Sequence, residues 1–105
     1  MKRVARLNDR FRRSFLGGKI VISIGVHALP DTVKAAALLR VATYRGFTEE
    51  NDPHGEHNFG RFRLYAEQFC WKIDYFDPQF EHASEDPSDP KKTGRVLTLM
   101  LSREY

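Results

Sequence analysis

The segment Arg95-Val-Leu-Thr-Leu-Met-Leu101 decides the fold, because its apolar side chains fall on both of the alternating faces of a strand. A strand that is apolar on both faces belongs inside a sheet, where other layers cover it. We therefore predict a central strand here, with the remaining elements arranged around it.

Three further segments are predicted to be strands. Phe69-Cys-Trp-Lys-Ile-Asp-Tyr-Phe76 alternates apolar and polar residues, and residues 61–64 alternate arginine with Phe62 and Leu64. The β-branched run Lys19-Ile-Val-Ile-Ser-Ile-Gly25 is typical of a strand as well. In the first of these segments, one face is expected to carry Phe69, Trp71, Ile73 and Tyr75.

Two helices are predicted. Residues 2–16 place Val4, Leu7, Phe11 and Phe15 at helical spacing, and Gly17-Gly18 is expected to end this helix. The second helix begins at Leu29-Pro-Asp-Thr32 and continues to Ala42. Proline suits the first helical turn because its missing N–H has no partner to lose there.

The order helix, strand, helix and three strands predicts an α+β two-layer sandwich, with two helices on one face of a mainly antiparallel four-stranded sheet. The last three strands form an antiparallel meander. The crossover through the second helix is long enough for a parallel pairing of the first strand with the strand that follows. We expect one domain over residues 1–105, and an open sheet face or edge would invite a homodimer.

Composition narrows the class of protein. The chain has 105 residues, of which 41% are hydrophobic, so it holds enough apolar material to fold. A single cysteine excludes an internal disulfide framework. No apolar run is long enough to span a membrane, and the basic N-terminus lacks the features of a secretory signal. We therefore expect a cytoplasmic protein.

Charge is strongly segregated along the chain. Residues 1–45 carry a net charge of +8, residues 46–90 carry −8, and the last fifteen carry +3. Such asymmetry is typical of a surface built for a charged partner. The alternative is that the two halves neutralise each other within the fold.

The segment Phe47-Thr-Glu-Glu-Asn-Asp-Pro-His-Gly-Glu-His-Asn-Phe-Gly60 holds the densest set of titratable residues. Histidine and carboxylate side chains are ligands of divalent metals, so a small metal-assisted enzyme is one hypothesis. The metal ligands would be His54, Glu56 and His57, with Asp52 alongside. Asp74, at the end of a strand, would meet His54 or His57 and form a pair suited to general-base chemistry. The competing interpretation is a structural loop, because Asp52-Pro53 and His54-Gly55 are turn-forming dipeptides.

The basic N-terminal segment supports a third hypothesis. An arginine-rich helix can contact nucleic-acid phosphates, and the candidate residues are Arg6, Arg10, Arg12 and Arg13. Trp71 and Tyr75 would stack on bases if they were exposed, but their face is shared with Ile73, which favours core packing.

The chain resembles an uncharacterised bacterial family, domain of unknown function 3768, almost from end to end. The resembling stretches are Leu7–Phe11, Phe47–Gly60, Trp71–Tyr75, Ser84–Pro90 and Arg95–Leu101. Asn58 stands where the family is expected to carry Asp. The resemblance implies no activity, but it implies a setting on plasmids and prophages, beside antirestriction genes. Small proteins of that setting include inhibitors of the anti-CRISPR type.

Taken together, these patterns favour a small non-enzymatic binding protein of a mobile genetic element, without a cofactor. We expect it to inhibit host defence by occluding a host defence protein or nucleoprotein complex. Acidic side chains would meet a basic surface on that partner, since complementary charge speeds encounter and fixes register. The candidate partner-binding residues are Glu49, Glu50, Asp52, His54, Glu56, His57, Asp74, Glu85, Asp86 and Asp89.

Overall fold

A computed structural model describes all 105 residues, which form three helices and four strands. Two short 3-10 turns lie before and after the last strand, at Pro90–Lys92 and Ser102–Glu104. No helix is long and apolar enough to cross a membrane. The elements are α1 (Arg3–Ser14), β1 (Gly18–Ile22), α2 (Ile24–His27), α3 (Asp31–Ala42), β2 (Phe59–Leu64), β3 (Glu67–Phe76) and β4 (Gly94–Leu101).

The four strands form one sheet in the order β1-β4-β3-β2, so the predicted interior position of β4 is confirmed. Strands β2, β3 and β4 form the predicted antiparallel meander, and the fold is of the α+β class. The parallel partner of β1 is β4 rather than β2, which corrects the expected pairing. Apolar packing explains this pairing, because it sets Ile20 beside Leu97 and Ile22 beside Leu99.

The core lies on one face of the sheet, beneath the helices. The alternation predicted for β3 is confirmed, since Phe69, Trp71 and Ile73 are buried on this face with the odd-numbered leucines of β4. Strand β2 adds Phe62, and the helices contribute the remaining buried apolar side chains of this cluster, which are Phe11, Val26, Ala37 and Val41.

Gly60 allows the largest core side chain to fit. It stands directly opposite Trp71 in the pairing of β2 with β3. A Cβ atom at position 60 would lie 2.5 Å from the indole Nε1, far inside van der Waals contact. The indole therefore occupies the space that any other residue on the edge strand would fill.

Element ends differ from the predicted ones for local reasons. Strand β1 stops at Ile22 because the Ser23 hydroxyl accepts a hydrogen bond from the Val26 amide and caps α2. Helix α1 ends at Ser14, before the two glycines, because Phe15 itself adopts the left-handed conformation with φ of 58°.

The buried face of α1 is not the predicted apolar stripe. Phe11 is buried, but Val4, Leu7 and Phe15 are only partly covered. The helix is rotated because three polar side chains find partners inside the protein. The buried residues of α1 are Ala5, Asn8, Asp9, Phe11 and Arg12.

The Glu104 carboxylate fastens the segment after β4 to the start of α2. It accepts hydrogen bonds from the Ser23 hydroxyl at 2.6 Å, the Leu101 amide at 2.8 Å and the Gly25 amide at 3.0 Å. The Ser23 hydrogen bond is the main cause that holds the pKa of Glu104 below its ordinary value. The carboxylate therefore stabilises the fold above the pKa it has in the unfolded chain, and this contribution is lost as pH falls through its folded pKa.

Glu104→Gln is therefore expected to flatten the acid side of the stability profile, because the variant has no proton to take up at this site. Melting temperature measured between about pH 7 and pH 3 checks this, with Glu85→Gln, at an exposed residue, as the matched control. A Glu104→Gln profile parallel to that of the unmodified protein would contradict the assignment.

Candidate functional site

Arg12 is the most deeply buried charged side chain, with a relative exposure of 1%. Its Nη1 donates to the carbonyls of Val41 at 2.7 Å, Tyr44 at 3.1 Å and Ala42 at 3.2 Å. These carbonyls lie at and just after the end of α3, where helical carbonyls lose their regular partners, and that of Val41 also accepts from the Tyr44 amide at 3.3 Å. The guanidinium thus caps the C-terminus of α3, where the helix dipole favours positive charge.

The counterion of Arg12 is Asp9, one helical turn earlier. Arg12 Nη2 donates to Asp9 Oδ1 at 2.8 Å, and His57 Nδ1 lies 3.0 Å from the same oxygen and 3.1 Å from Oδ2. Desolvation of two charges is costly, and the close pairing and the hydrogen bonds to both groups offset this cost, although Arg12 Nε lies buried without a partner. The Asp9 carboxylate joins α1 to the end of α3 and to the segment Phe47–Gly60, which we call the central loop.

His57 is held from three sides. Its ring stacks on Phe47, with centroids 4.0 Å apart and planes within 1°. The Asp52 carboxylate accepts hydrogen bonds from the backbone amides of Glu56 and His57, which sets the turn that positions the ring. His57 Nε2 lies 3.9 Å from Asp52 Oδ2, so both ring nitrogens face carboxylates.

A second chain of hydrogen bonds continues from Asn8. Its amide nitrogen donates to the Tyr75 hydroxyl at 2.8 Å and to the Glu56 carbonyl at 3.0 Å. The Tyr75 hydroxyl donates to Glu56 Oε1 at 2.7 Å, and Arg95 Nε donates to Asn8 Oδ1 at 2.7 Å. Arg95 also donates to the Pro87 carbonyl, which ties the loop between β3 and β4 to this network of hydrogen bonds.

Burial shifts the pKa values of two residues in this hydrogen-bond network. Desolvation, with the Glu56 carboxylate as the next cause, raises the pKa of Tyr75. Desolvation also lowers the pKa of Arg95. Tyr75 therefore remains a neutral donor to Glu56 throughout the neutral range.

The proposed metal ligands do not come together. Glu56 is bonded to Tyr75, His57 to Asp9, and His54 is exposed. The structure contains no group of three or more histidine, cysteine or acidic side chains that could hold a metal ion. The metal hypothesis requires an extended loop. The loop is instead folded into a turn, because the Asp52 carboxylate accepts a hydrogen bond from the Glu56 amide.

The expected pairing of Asp74 with His54 or His57 is wrong. Asp74 forms an ion pair with Lys72 at 2.9 Å, and both residues point away from the core face of β3. The histidine partner is Asp9, on the opposite face of the sheet. The expected nucleic-acid contact through Arg12 is wrong as well, because its guanidinium is enclosed in the protein.

The remaining acidic candidates divide into two groups. Asp86 accepts from the hydroxyl and the amide of Ser88, which hold the pKa of Asp86 below its ordinary value, and Asp89 accepts from the Lys91 amide. These two carboxylates shape their own loop. The candidates that are exposed and form no ion pair are Glu49, Glu50 and Glu85.

Three of the four candidate arginines lie on the outer side of α1. Arg6, Arg10 and Arg13 are exposed, and none of them forms an ion pair with a carboxylate. Their spacing of four and three residues places them on one face of the helix, and we call these three residues the arginine stripe. They border a shallow concavity of about 540 Å³, whose floor includes the edge of Asp9.

Little in the sequence predicts this network of buried hydrogen bonds. Asn8, Tyr75 and Arg95 were not candidates, and Asp9 was not expected to meet the central loop. The available signal is spacing, because Asn8, Asp9 and Arg12 stand at i, i+1 and i+4 and so share one side of a helix.

The fold and this network define a small α+β protein with two charged surfaces around a buried polar centre. A family model described as "Protein of unknown function (DUF3768)" matches residues 22–104, and the chain belongs to this family. The predicted resemblance is thereby confirmed, although the stretch Leu7–Phe11 lies outside the matched range. No curated protein and no solved structure matches the chain.

Arg12→Met is expected to destabilise the protein by about 3–5 kcal/mol, because it leaves the Asp9 carboxylate buried without its cation. The double variant Asp9→Leu/Arg12→Met removes both charges and is expected to recover part of the loss. Urea unfolding measures both values. Arg10→Met, at an exposed site on the same helix, is the matched control, and an Arg12→Met loss no larger than that of the control would contradict the assignment.

Proposed function

We propose that this protein is a non-enzymatic binding protein whose arginine stripe binds the phosphate backbone of a nucleic acid. The observation that carries the proposal is the stripe itself: Arg6, Arg10 and Arg13 are exposed on one helical face without an ion pair. Guanidinium groups bind phosphate oxygens through paired hydrogen bonds, and such contacts do not depend on base sequence.

The local cost of the stripe supports a functional origin. Like charges three and four residues apart on a helix destabilise it by about 0.2–0.5 kcal/mol per pair. The helix dipole also disfavours Arg6 near the N-terminus of α1, which has no acidic residue in its first turn and no side-chain cap at Lys2, whereas it favours Arg13 in the last turn. A polyanion along this face would remove both penalties.

The surroundings of the nucleophiles and bases support binding rather than catalysis. Both nitrogens of His57 face carboxylates, so neither is directed at a substrate. Cys70 is buried, and desolvation raises the pKa of its thiol, which is the opposite of an activated nucleophile.

The biological role we propose is inhibition of a host defence nucleoprotein complex in the cytoplasm by a protein of a mobile element. The resemblance supplies this setting, and binding at the phosphate backbone supplies a means of occlusion. A homodimer through the open sheet face remains a further prediction.

A second candidate surface is acidic. Glu49, Glu50 and Glu85 are exposed and carry no ion pair, so they suit a basic surface of a partner protein. Under this alternative, charge reversal at Glu49 and Glu50 abolishes binding, and charge reversal in the stripe does not.

The test is fluorescence anisotropy with a short single-stranded oligonucleotide at several salt concentrations. Three phosphate contacts predict a slope of log K against log salt of about −2. Each single change, Arg6→Ala, Arg10→Ala or Arg13→Ala, is expected to reduce the magnitude of this slope by about 0.7.

Arg63→Ala is the matched control for this series, because Arg63 is equally exposed but lies on β2. Retained affinity in all three stripe variants would overturn the proposal. Absence of oligonucleotide binding, together with binding of a basic partner protein that Glu49→Lys/Glu50→Lys abolishes, would transfer the function to the acidic surface.

A further inference from the structure

A second pocket lies between α1 and the central loop, adjoining the arginine stripe. Its volume is about 310 Å³, which falls at the lower end of the range for small-ligand sites. Arg13 contributes one wall and Arg45 another. The other lining residues are Met1, Asp9, Arg12, Tyr44, Phe47 and His57.

The two guanidiniums of the walls reach the pocket from separate segments of the chain. Arg13 extends from α1, and Arg45 belongs to the segment that follows α3. Both are exposed, and neither forms an ion pair. The same two residues border a smaller concavity next to the pocket, so their side chains flank a common space. Two such groups facing one space are the arrangement that binds an anion with several oxygens.

The charges around the pocket indicate which anion fits. Among the lining side chains, Arg12, Arg13 and Arg45 supply three positive charges and Asp9 supplies one negative charge, which leaves a side-chain balance of +2 with histidine counted as neutral. A phosphate monoester carries a charge of about −1.5 to −2 at neutral pH, whereas each internal phosphodiester of a nucleic acid carries −1. The pocket therefore matches a terminal phosphate better than an internal one.

The floor of the pocket is fixed before any ligand arrives. Arg12 and Asp9 are held by the buried network, and the His57 ring is clamped between Phe47 and two carboxylates. A preformed site loses less conformational entropy on binding than a flexible one. Only the outer arginines need to become ordered around the ligand.

We infer that this pocket binds a phosphate monoester, and that its ligand on a nucleic acid is the terminal phosphate of a strand whose backbone follows the arginine stripe. The strand-end assignment depends on the proposed function, since Arg13 belongs to both surfaces. The binding of a phosphate monoester by the pocket does not depend on it. The protein would accordingly prefer phosphorylated strand ends to hydroxyl ends.

The experiment compares three oligothymidines of equal length that carry a 5′-phosphate, a 3′-phosphate or hydroxyl groups at both ends. Anisotropy measures the three affinities. One phosphorylated form is expected to bind at least about tenfold more tightly than the hydroxyl form, which is the scale of one hydrogen bond to a charged group. Arg45→Ala removes this preference, whereas Arg10→Ala lowers all affinities and leaves their ratio unchanged.

Inorganic phosphate, titrated by calorimetry, tests the pocket without a nucleic acid. Saturable binding that Arg45→Ala abolishes and Arg63→Ala retains supports the pocket even where no oligonucleotide binds, and that result overturns only the proposed function. Equal affinity for phosphate and hydroxyl ends, with binding still lost in Arg10→Ala, overturns the inference and leaves the stripe intact. Failure of both probes to bind overturns both.

Discussion

The buried guanidinium of Arg12 holds the helical layer of this protein together. It bonds to its counterion on α1 and to three carbonyls at the end of α3, and it lies over the rings of Phe47 and Trp71 at 5.4 Å. Removing this group exposes unpaired carbonyls and a buried carboxylate in the same place, so the loss exceeds that of one hydrogen bond. The central loop depends on the same group, because Asp9 holds His57.

This arrangement connects stability to the outer surface. The polar side chains of α1 on its inner side fix the rotation of the helix, and that rotation carries Arg6, Arg10 and Arg13 to the outside. The same loop that receives Asp9 also contributes Phe47 and His57 to the pocket beside Arg13. Like charges three and four residues apart weaken the helix on its outer side, and the hydrogen bonds of its inner side offset this cost.

The sheet was predictable and the network was not, for one physical reason. The pattern of a strand is a local property. The apolar residues on both faces of 95–101 and the alternation in 69–76 therefore predict the burial of these strands from the sequence. The burial of Arg12 depends on carbonyls at positions 41–44 and on a histidine 45 positions along the chain, and no local pattern carries that information. The loop segment 47–60 was correctly singled out as unusual. Its partner was misjudged because Asp74 lies on the face of β3 that turns away from the core, while Asp9 sits on a helix that the apolar pattern had placed differently.

The central claim is that nucleic acid binds at the outer face of α1. Chemical-shift mapping of the labelled protein with a single-stranded oligonucleotide tests it most directly. The account predicts that the perturbed backbone amides cluster along α1 and at Arg45, while those of Glu49, Glu50 and Glu85 stay in place. Perturbations confined to these acidic residues, or absent throughout at millimolar concentrations, would contradict it.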